Sequence, residues 1–484
     1  MSTYSGWFLQ VVLDRNRKGL YRHDAIEPLT ASSATGDTGL KHLAPYNVLL
    51  GLSALVLGPY YGLRILATGK YRKSIGGKLG RVDGRAFEAL GGAPRIWLHA
   101  VSVGEVTAAA PIITSLRTAC PGASLLLSTS TETGQEMARR VAGDADLHFY
   151  YPLDLPWVVR RVMGHVRPDV FVLLESEFWP NLIDQCRGRG TPVVLVNGRI
   201  SPRSFHRYRK SRFFWKEVLR SVDHLGMISL TDAERIRAFG GAPERISVEG
   251  NAKFDGLAAR VSPALREEAG RKLQIGEETP VFVAGSTHRG EEEAVLNAYS
   301  RIVGEFPGMV LVLVPRHTDR REAVLRTVRT AGFNDVITLS EMNEGRTRRG
   351  ERVIVVDVIG ELFKIYGLAT VVFCGGSLVP KGGQNILEAA AWGKVVFYGP
   401  SMEDFPEEQA VLEESGAGRM VGGADALCEG ILNALRSPET LARDGRKGRE
   451  AILRHRGASD RYAGRIVEAL QRSSRGIQPS ALRR

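Results

Sequence analysis

The chain has 484 residues, 43% of them hydrophobic and 24% charged, the profile of a folded globular protein too long for one hydrophobic core, so two domains are expected. Its net charge of +12 calls for an anionic partner, and without zinc-finger spacing or an aromatic-interleaved basic run that partner is acidic lipid or a phosphorylated substrate rather than nucleic acid. Four cysteines, Cys120, Cys186, Cys374 and Cys428, are far apart and form no CxxC pair, which argues against a disulfide framework or a cysteine zinc site and fits a reducing compartment.

Residues 1–41 are polar and without clear periodicity, and read as a poorly ordered extension. Between Lys41 and Arg64 lie 22 residues with no Asp, Glu, Lys or Arg. The segment 42–66 is therefore expected to be a membrane-anchoring helix, either spanning the bilayer or lying at its interface, with Tyr60 and Tyr61 suited to the interfacial belt. From Arg64 to Arg85 there are seven Lys/Arg and one acid, Asp83. That asymmetry is expected to place the remainder of the protein on the cytoplasmic side of the membrane, with the basic collar against anionic lipid.

From Arg95 onward strand-like and helical runs alternate. The first set of strands is Ile96–Ser102, Ser124–Ser128, Val170–Leu174, Val193–Val196 and Leu225–Ser229, with helices such as Val106–Thr118 and Thr133–Val141 between them. The pattern repeats with Val281–Ala284, Val310–Val314, Val353–Val356, Thr370–Phe373 and Val395–Phe397. Continuous apolar strands alternating with helices predict parallel sheets covered on both faces. The expected fold is α/β, with two Rossmann-like domains at about 83–257 and 275–455, a polar break at 257–278 and a terminal helix at 458–472. Ligands in such sheets sit beyond the carboxyl ends of the strands, so two facing domains would hold them in a cleft.

Candidate chemistry follows the strands. Glu105, in Ser102-Val-Gly-Glu105, is placed at the start of a helix, where a carboxylate can take a hydroxyl proton; the helix dipole lowers its basicity unless the site is dry. Glu175 and Glu177, in Glu175-Ser-Glu-Phe-Trp-Pro-Asn181, occupy the equivalent place after the strand 170–174, one to act and the other to pack or cap. Lys253, in Gly250-Asn-Ala-Lys-Phe-Asp255, could set positive charge near developing negative charge.

In the second half, Ala284–Gly290 is a strand-to-helix turn of small polar residues that could contact phosphate or sugar. Pro315 and Arg316 end the next strand, and the Arg316 fork suits a phosphate. Ile359, Gly360 and Glu361 open a short helix. The stretch Cys374–Pro400 carries two glycine pairs, Gly375-Gly376 and Gly382-Gly383, followed by a helix expected at Asn385–Trp392, on which Asn385 and Glu388 would share a face. The turns at 315–317, 359–361 and 382–388 should converge on one edge of one sheet. No GxGxxG or GxxxxGK[ST] occurs, so dinucleotide and P-loop readings are poor. Asp144 and Asp146 precede a strand away from the expected cleft and give little reason to expect a metal.

These residues together resemble the 3-deoxy-D-manno-octulosonic acid (Kdo) transferases of lipopolysaccharide synthesis, over roughly Tyr46 to Ala469. The resemblance is carried by the anchor, Ser102–Glu105, Glu175-x-Glu-Phe-Trp-Pro-Asn-Leu182, Asn197-x-Arg-Ile-Ser201, Gly250-Asn-x-Lys-Phe-Asp255, Ala284–His288, Val314-Pro-Arg-His317 and Gly382-Gly-x-Asn-x-Leu-Glu388. It implies the glycosyltransferase B fold and inverting transfer of Kdo from CMP-Kdo to a lipid A precursor, lipid IVA, with no metal and no cofactor. It further implies Glu105 as general base, Glu175 and Lys253 as transition-state stabilisers, and CMP contacts at Pro315, Arg316, Ile359, Gly360, Glu361, Asn385, Ile386, Leu387 and Glu388. The chain departs from the family pattern at Gln384, where His is common, at Ala389, where Pro is common, and at Ala252, where Leu is usual. A glycosyltransferase B enzyme using a different nucleotide sugar, or a catalytically silent membrane-anchored binding protein, are the alternatives.

Overall fold

The computed structural model describes residues 43–68 and 72–476. The extension 1–41 lies outside them. The chain divides into two compact units, the first formed by residues 1–256 and 457–484 and the second by 257–456.

The first unit is built on seven parallel strands: β1 (Arg95–His99), β2 (Ser124–Thr129), β3 (Leu147–Tyr150), β4 (Val170–Leu174), β5 (Val193–Gly198), β6 (His224–Met227) and β7 (Ile246–Val248), in the spatial order β3-β2-β1-β4-β5-β6-β7. Alternate residues of each strand enter different cores. Trp97, Leu126, Phe171, Val193 and Leu195 pack on one face, and Ile96, Leu98, Leu125, Val172 and Val194 on the other. Burial on both faces explains why these strands read as unbroken apolar runs. The topology reverses between β1 and β4, which pair in register from Ile96↔Val170 to His99↔Leu173. That switch point is where an open parallel sheet leaves a crevice for ligands.

The second unit repeats the plan with β8 (Val281–Thr287), β9 (Val310–Pro315), β10 (Val336–Thr338), β11 (Val353–Val355), β12 (Val371–Cys374), β13 (Val396–Tyr398) and β14 (Gly418–Met420), all parallel, in the order β10-β11-β9-β8-β12-β13-β14. Its main core joins Phe282, Leu311, Val353, Phe373 and Phe397 to Val295, Tyr299 and Ile302 of the helix Glu291–Glu305. Here the switch point lies between β8 and β12, paired from Val371↔Phe282 to Cys374↔Gly285.

Several elements differ from expectation. The strands β7, β10 and β14 have three residues each, too few for a periodic signal. The polar stretch 257–278 is not a bare break, because the helix Pro263–Leu273 belongs to the second unit, where Glu268 binds Lys364 at 2.7 Å and Lys272 binds Glu361 at 2.9 Å. The helix expected from Asn385 starts only at Leu387 and ends at Ala391. Gly382 and Gly383, at φ 82° and 83°, carry the chain in the left-handed region up to that point, and the Asn385 side chain then caps the turn by accepting from the Leu387 N–H at 3.1 Å. Asn385 and Glu388 therefore do not share a helix face.

The terminal helix Ala458–Gly476 returns to the first unit. Asp255 accepts from the N–H groups of Gly457 and Ser459, both at 2.7 Å, which fixes its start. Tyr462 donates to the Gly250 carbonyl at 2.7 Å, and Arg465 binds the Glu249 carboxylate at 2.8 Å. The loop 249–253 is thus held by a segment more than 200 residues away in sequence.

Candidate active-site groups in each unit

In the first unit the sequence-predicted groups gather at the β1/β4 switch point. Glu105 lies in the first turn of the helix Val103–Ala119, which follows β1, and is buried. Its Oε2 accepts from the Val101 N–H at 2.7 Å. Burial, with the neighbouring Glu175 and Glu177 carboxylates adding to it, raises the Glu105 carboxyl well above the usual range; the Val101 N–H and Lys253 oppose this without reversing it. Desolvation outweighs any lowering by the helix dipole at this first-turn position.

Glu175 follows β4 with φ 56°, a left-handed conformation that costs a non-glycine residue about 1 kcal/mol or more. Its Oε1 takes a 2.8 Å ion pair from Lys253 Nζ, both side chains about one-fifth exposed. Burial pushes the Glu175 carboxyl up, but Lys253 and then Arg199 outweigh it and hold the group below the ordinary range. Two carboxyls within electrostatic reach of one another are thus driven apart, one towards the proton and one away from it. Asn197, also left-handed at φ 52° and buried, accepts from the Ala252 N–H at 2.9 Å, and Asn251 Oδ1 accepts from the Lys253 N–H at 3.1 Å. Lys253 is therefore aimed from a loop tied to β5 on one side and to the terminal helix on the other. The small side chain of Ala252 is fully buried at this junction.

The influence of Arg199 on Glu175, and the ring stack nearby, were not legible in sequence. His99, at the end of β1, stacks on Tyr151 with centroids 3.6 Å apart, and Tyr151 lies 5.0 Å from Trp179. Burial holds the His99 imidazole down at about 3, so it is neutral. Asp144 and Asp146 are structural: Asp146 Oδ2 accepts from Arg117 and from the Leu125 N–H, each at 2.7 Å, and Asp144 accepts from Thr114 at 2.7 Å. Among the described residues, no group of three or more His, Cys, Asp and Glu side chains could hold a metal ion.

In the second unit the turns after β9, β11 and β12 all leave the carboxyl edge of one parallel sheet. Pro315 ends β9 and is buried. Arg316 is exposed, its backbone N–H donating to the Thr287 carbonyl at 2.9 Å. Glu388 is half-buried; burial holds its carboxyl above the usual range against the opposing charges of Arg260 and Arg316. Arg316 and Glu388 thus lie within electrostatic reach across β9 and β12. Ile359 is exposed and Gly360 has φ 96°, whereas Glu361 is engaged by Lys272 and by Lys364 at 3.3 Å. Ile386 and Leu387 have fully buried side chains, which leaves only their backbones to a ligand.

The first glycine pair is not an anion cradle. The N–H groups of Gly376, Ser377 and Leu378 all donate to the buried carboxylate of Glu291, at 2.7, 2.9 and 2.9 Å. The chain supplies its own anion there, and Glu291, unremarked in the sequence, is what shapes the loop. On the neighbouring β8, Ser286 has φ 55°, and His288 faces His317 at 5.7 Å between ring centroids.

Two parallel-sheet α/β units, each with polar groups collected at a switch point, are the plan of the glycosyltransferase B fold. The fold has the same architecture as the UDP-GlcNAc 2-epimerase of Neisseria meningitidis bound to UDP-GlcNAc, with a TM-score of 0.55 over 78% of this chain and 100% of that one at 11% identity. A glycosyltransferase of Rickettsia africae gives 0.52 over 78% and 98% at 13% identity. A family model described as 3-deoxy-D-manno-octulosonic-acid transferase (kdotransferase) matches residues 73–256. The 3-deoxy-D-manno-octulosonic acid transferase of Haemophilus influenzae is 31% identical over 430 residues, covering 88% of this chain and 99% of that protein. A probable mitochondrial 3-deoxy-D-manno-octulosonic acid transferase of Arabidopsis thaliana is 31% identical over 66% of this chain and 72% of its own. The chain belongs to the 3-deoxy-D-manno-octulosonic acid transferase family, and is a glycosyltransferase of lipopolysaccharide synthesis.

Proposed function

We propose that the enzyme transfers Kdo from CMP-Kdo to lipid IVA, the lipid A precursor, with inversion at the anomeric carbon. The observation that carries the chemistry is the pair of carboxyls at one switch point held in opposite protonation tendencies, Glu105 high and Glu175 low beside Lys253. In this reading the bond between the Kdo anomeric carbon and the CMP phosphate oxygen breaks, and the electron pair leaves on CMP. The acceptor hydroxyl oxygen bonds to the anomeric carbon from the opposite face, and Glu105 takes its proton. The ionised Glu175 favours the positive charge that develops on the sugar ring, and Lys253 keeps Glu175 ionised and in place.

The second unit holds the donor. Arg316, exposed at the end of β9, pairs with the phosphate, and loss of CMP is assisted by that fixed positive charge. The backbone of Ile359–Gly360 and the turn 385–388 complete the nucleotide contacts, with the Asn385 side chain and the half-buried Glu388 carboxyl as the polar groups available there. Pro315, Ile386 and Leu387 shape the turns from below. Glu361 contributes by bracing the 359–361 turn through Lys272 and Lys364. Catalysis takes place on the cytoplasmic side of the inner membrane, where the +12 charge favours an anionic lipid surface.

Incubating the purified protein with CMP-Kdo and a tetra-acylated lipid A precursor, then weighing the lipid by mass spectrometry, tests the reading. The expected product is acceptor plus Kdo with stoichiometric CMP. Release of UDP or GDP from another sugar nucleotide, with CMP-Kdo untouched, would replace the donor assignment.

A further inference from the structure

The apolar helix Leu43–Thr68 is docked to the first unit at its amino-terminal end. Tyr46 donates to the Asp154 Oδ2 at 3.0 Å, Asn181 donates to the Asn47 Oδ1 at 2.7 Å, and the Tyr46 ring lies 5.8 Å from Phe214. Asp154 is itself buried, accepting from the backbone N–H groups of Asn181 and Leu182 at 3.0 Å each. The segment that follows the helix is docked to the same place. The Leu153 N–H donates to the Lys78 carbonyl at 2.8 Å, Ser74 is buried, and Gly77 lies against Tyr150.

Leu153 and Asp154 are consecutive, so their Cα atoms are about 3.8 Å apart. One holds the chain after the helix and the other holds its start. A helix that crossed the bilayer would put those two points on opposite sides of about 30 Å of hydrocarbon. The same short stretch of one folded unit cannot be on both sides.

The helix surface agrees. Tyr46, Leu50, Ser53, Leu57 and Arg64 form a half-buried stripe at helical spacing. The opposite stripe, Val48, Leu52 and Leu55, is 56–74% exposed, and Val56 and Tyr60 beside it are exposed too. Next to the docking point, the segment 202–219 presents Arg203, Arg209, Lys210, Arg212 and Lys216 to solvent together with Phe213, 78% exposed. An exposed apolar stripe on a helix whose docked end lies beside exposed basic side chains and an exposed aromatic has the chemistry of a surface-lying helix.

We propose that Leu43–Thr68 lies in the plane of an anionic lipid surface, with both ends on the side of the folded units, and that Phe213 and the basic side chains of 202–219 belong to the same membrane-contacting face. This deepens the reading of the chain as an enzyme of a membrane-borne acceptor and rests on that reading for its partner. Its test uses no catalytic readout.

In a Cys120→Ser background, whose remaining cysteines are buried, Ala44→Cys and Arg72→Cys are each placed in the full-length protein in a bacterial inner membrane. A membrane-impermeant maleimide is applied to intact spheroplasts and again after detergent lysis. Both positions should be protected in intact spheroplasts and react after lysis. Labelling of the two from opposite faces would overturn the proposal, as would recovery of the protein in the soluble fraction. Labelling of both from outside would keep the in-plane geometry and overturn cytoplasmic catalysis instead, which separates the two readings. In a second measurement, Phe213→Asp should weaken flotation of the purified full chain with phosphatidylglycerol vesicles by roughly tenfold, the scale of losing one aromatic contact with the apolar interior. Unchanged flotation would remove 202–219 from the membrane face.

Discussion

The Lys253 Nζ lies 2.8 Å from the Glu175 Oε1 although the two residues are 78 positions apart in the chain. The pair joins the strained end of β4 to the loop after β7, and it holds the Glu175 carboxyl below the ordinary range while burial raises that of Glu105. Lys253→Met removes the cation with little change in volume. Glu175 then has burial acting on it with only Arg199 to oppose it, and its carboxyl rises. Turnover should fall about 10²–10³-fold, the usual cost of removing one preorganised electrostatic group. Steady-state CMP release checks this, and CMP affinity, which the proposed donor site assigns to the second unit, should stay within error.

Glu105 has a stability signature as well. Its folded value is raised, so the folded state holds this proton more tightly than the unfolded chain does. The resulting stability is fully present below the unfolded value, about 4.3, and is lost as pH rises through the folded value. Glu105→Gln cannot ionise. The difference in thermal midpoint between this variant and wild type should therefore move in the variant's favour as pH rises from 5 to 8. A difference that is flat, or that moves towards wild type, would mean the group is not desolvated.

Arg316→Ala should weaken CMP binding by about 1.5–3 kcal/mol, the range for a hydrogen bond to a charged group. The side chain is exposed and its backbone N–H stays on Thr287, so the thermal midpoint should hardly change. Calorimetric titration with CMP reads the effect, and an unaltered affinity would take Arg316 out of the donor site.

Glu291→Ala would strip the partner from three backbone N–H groups at 376–378. Each buried donor left unsatisfied costs about 1–3 kcal/mol. The second unit should lose stability by at least about 3 kcal/mol on that basis. Chemical denaturation monitored by circular dichroism checks it, with CMP binding lost in parallel because the same loop leads to Asn385.

Much of this was written in the sequence. The apolar runs of β1, β2, β4, β5, β8 and β9 are buried on both faces, so they announce themselves without alternation. Glu175 could be placed because it directly follows such a strand, and Glu105 because it opens the helix after one. The opposed protonation of the two could not, since it depends on Lys253, Arg199 and burial, which converge only in three dimensions. What shapes the turn at Gly375-Gly376 was not legible, because sequence cannot show that Glu291, 85 positions earlier, meets its N–H groups. The shared face of Asn385 and Glu388 failed for a local reason: the left-handed glycines and the Asn385 cap delay the helix by two residues. The apolar segment was legible by composition, but its docking depends on Tyr46 meeting Asp154, 108 positions away.

The most direct test of the central claim is the single-turnover rate of Glu105→Gln with CMP-Kdo and the lipid A precursor. Gln keeps the size and can still accept from the Val101 N–H, but it cannot take the acceptor's proton. Loss of a positioned base costs about 10²–10⁴ in rate. A fall within that range is expected, with CMP affinity and the circular dichroism spectrum unchanged. A variant keeping more than about a tenth of the wild-type rate would contradict it, because a true base could not be dispensed with so cheaply.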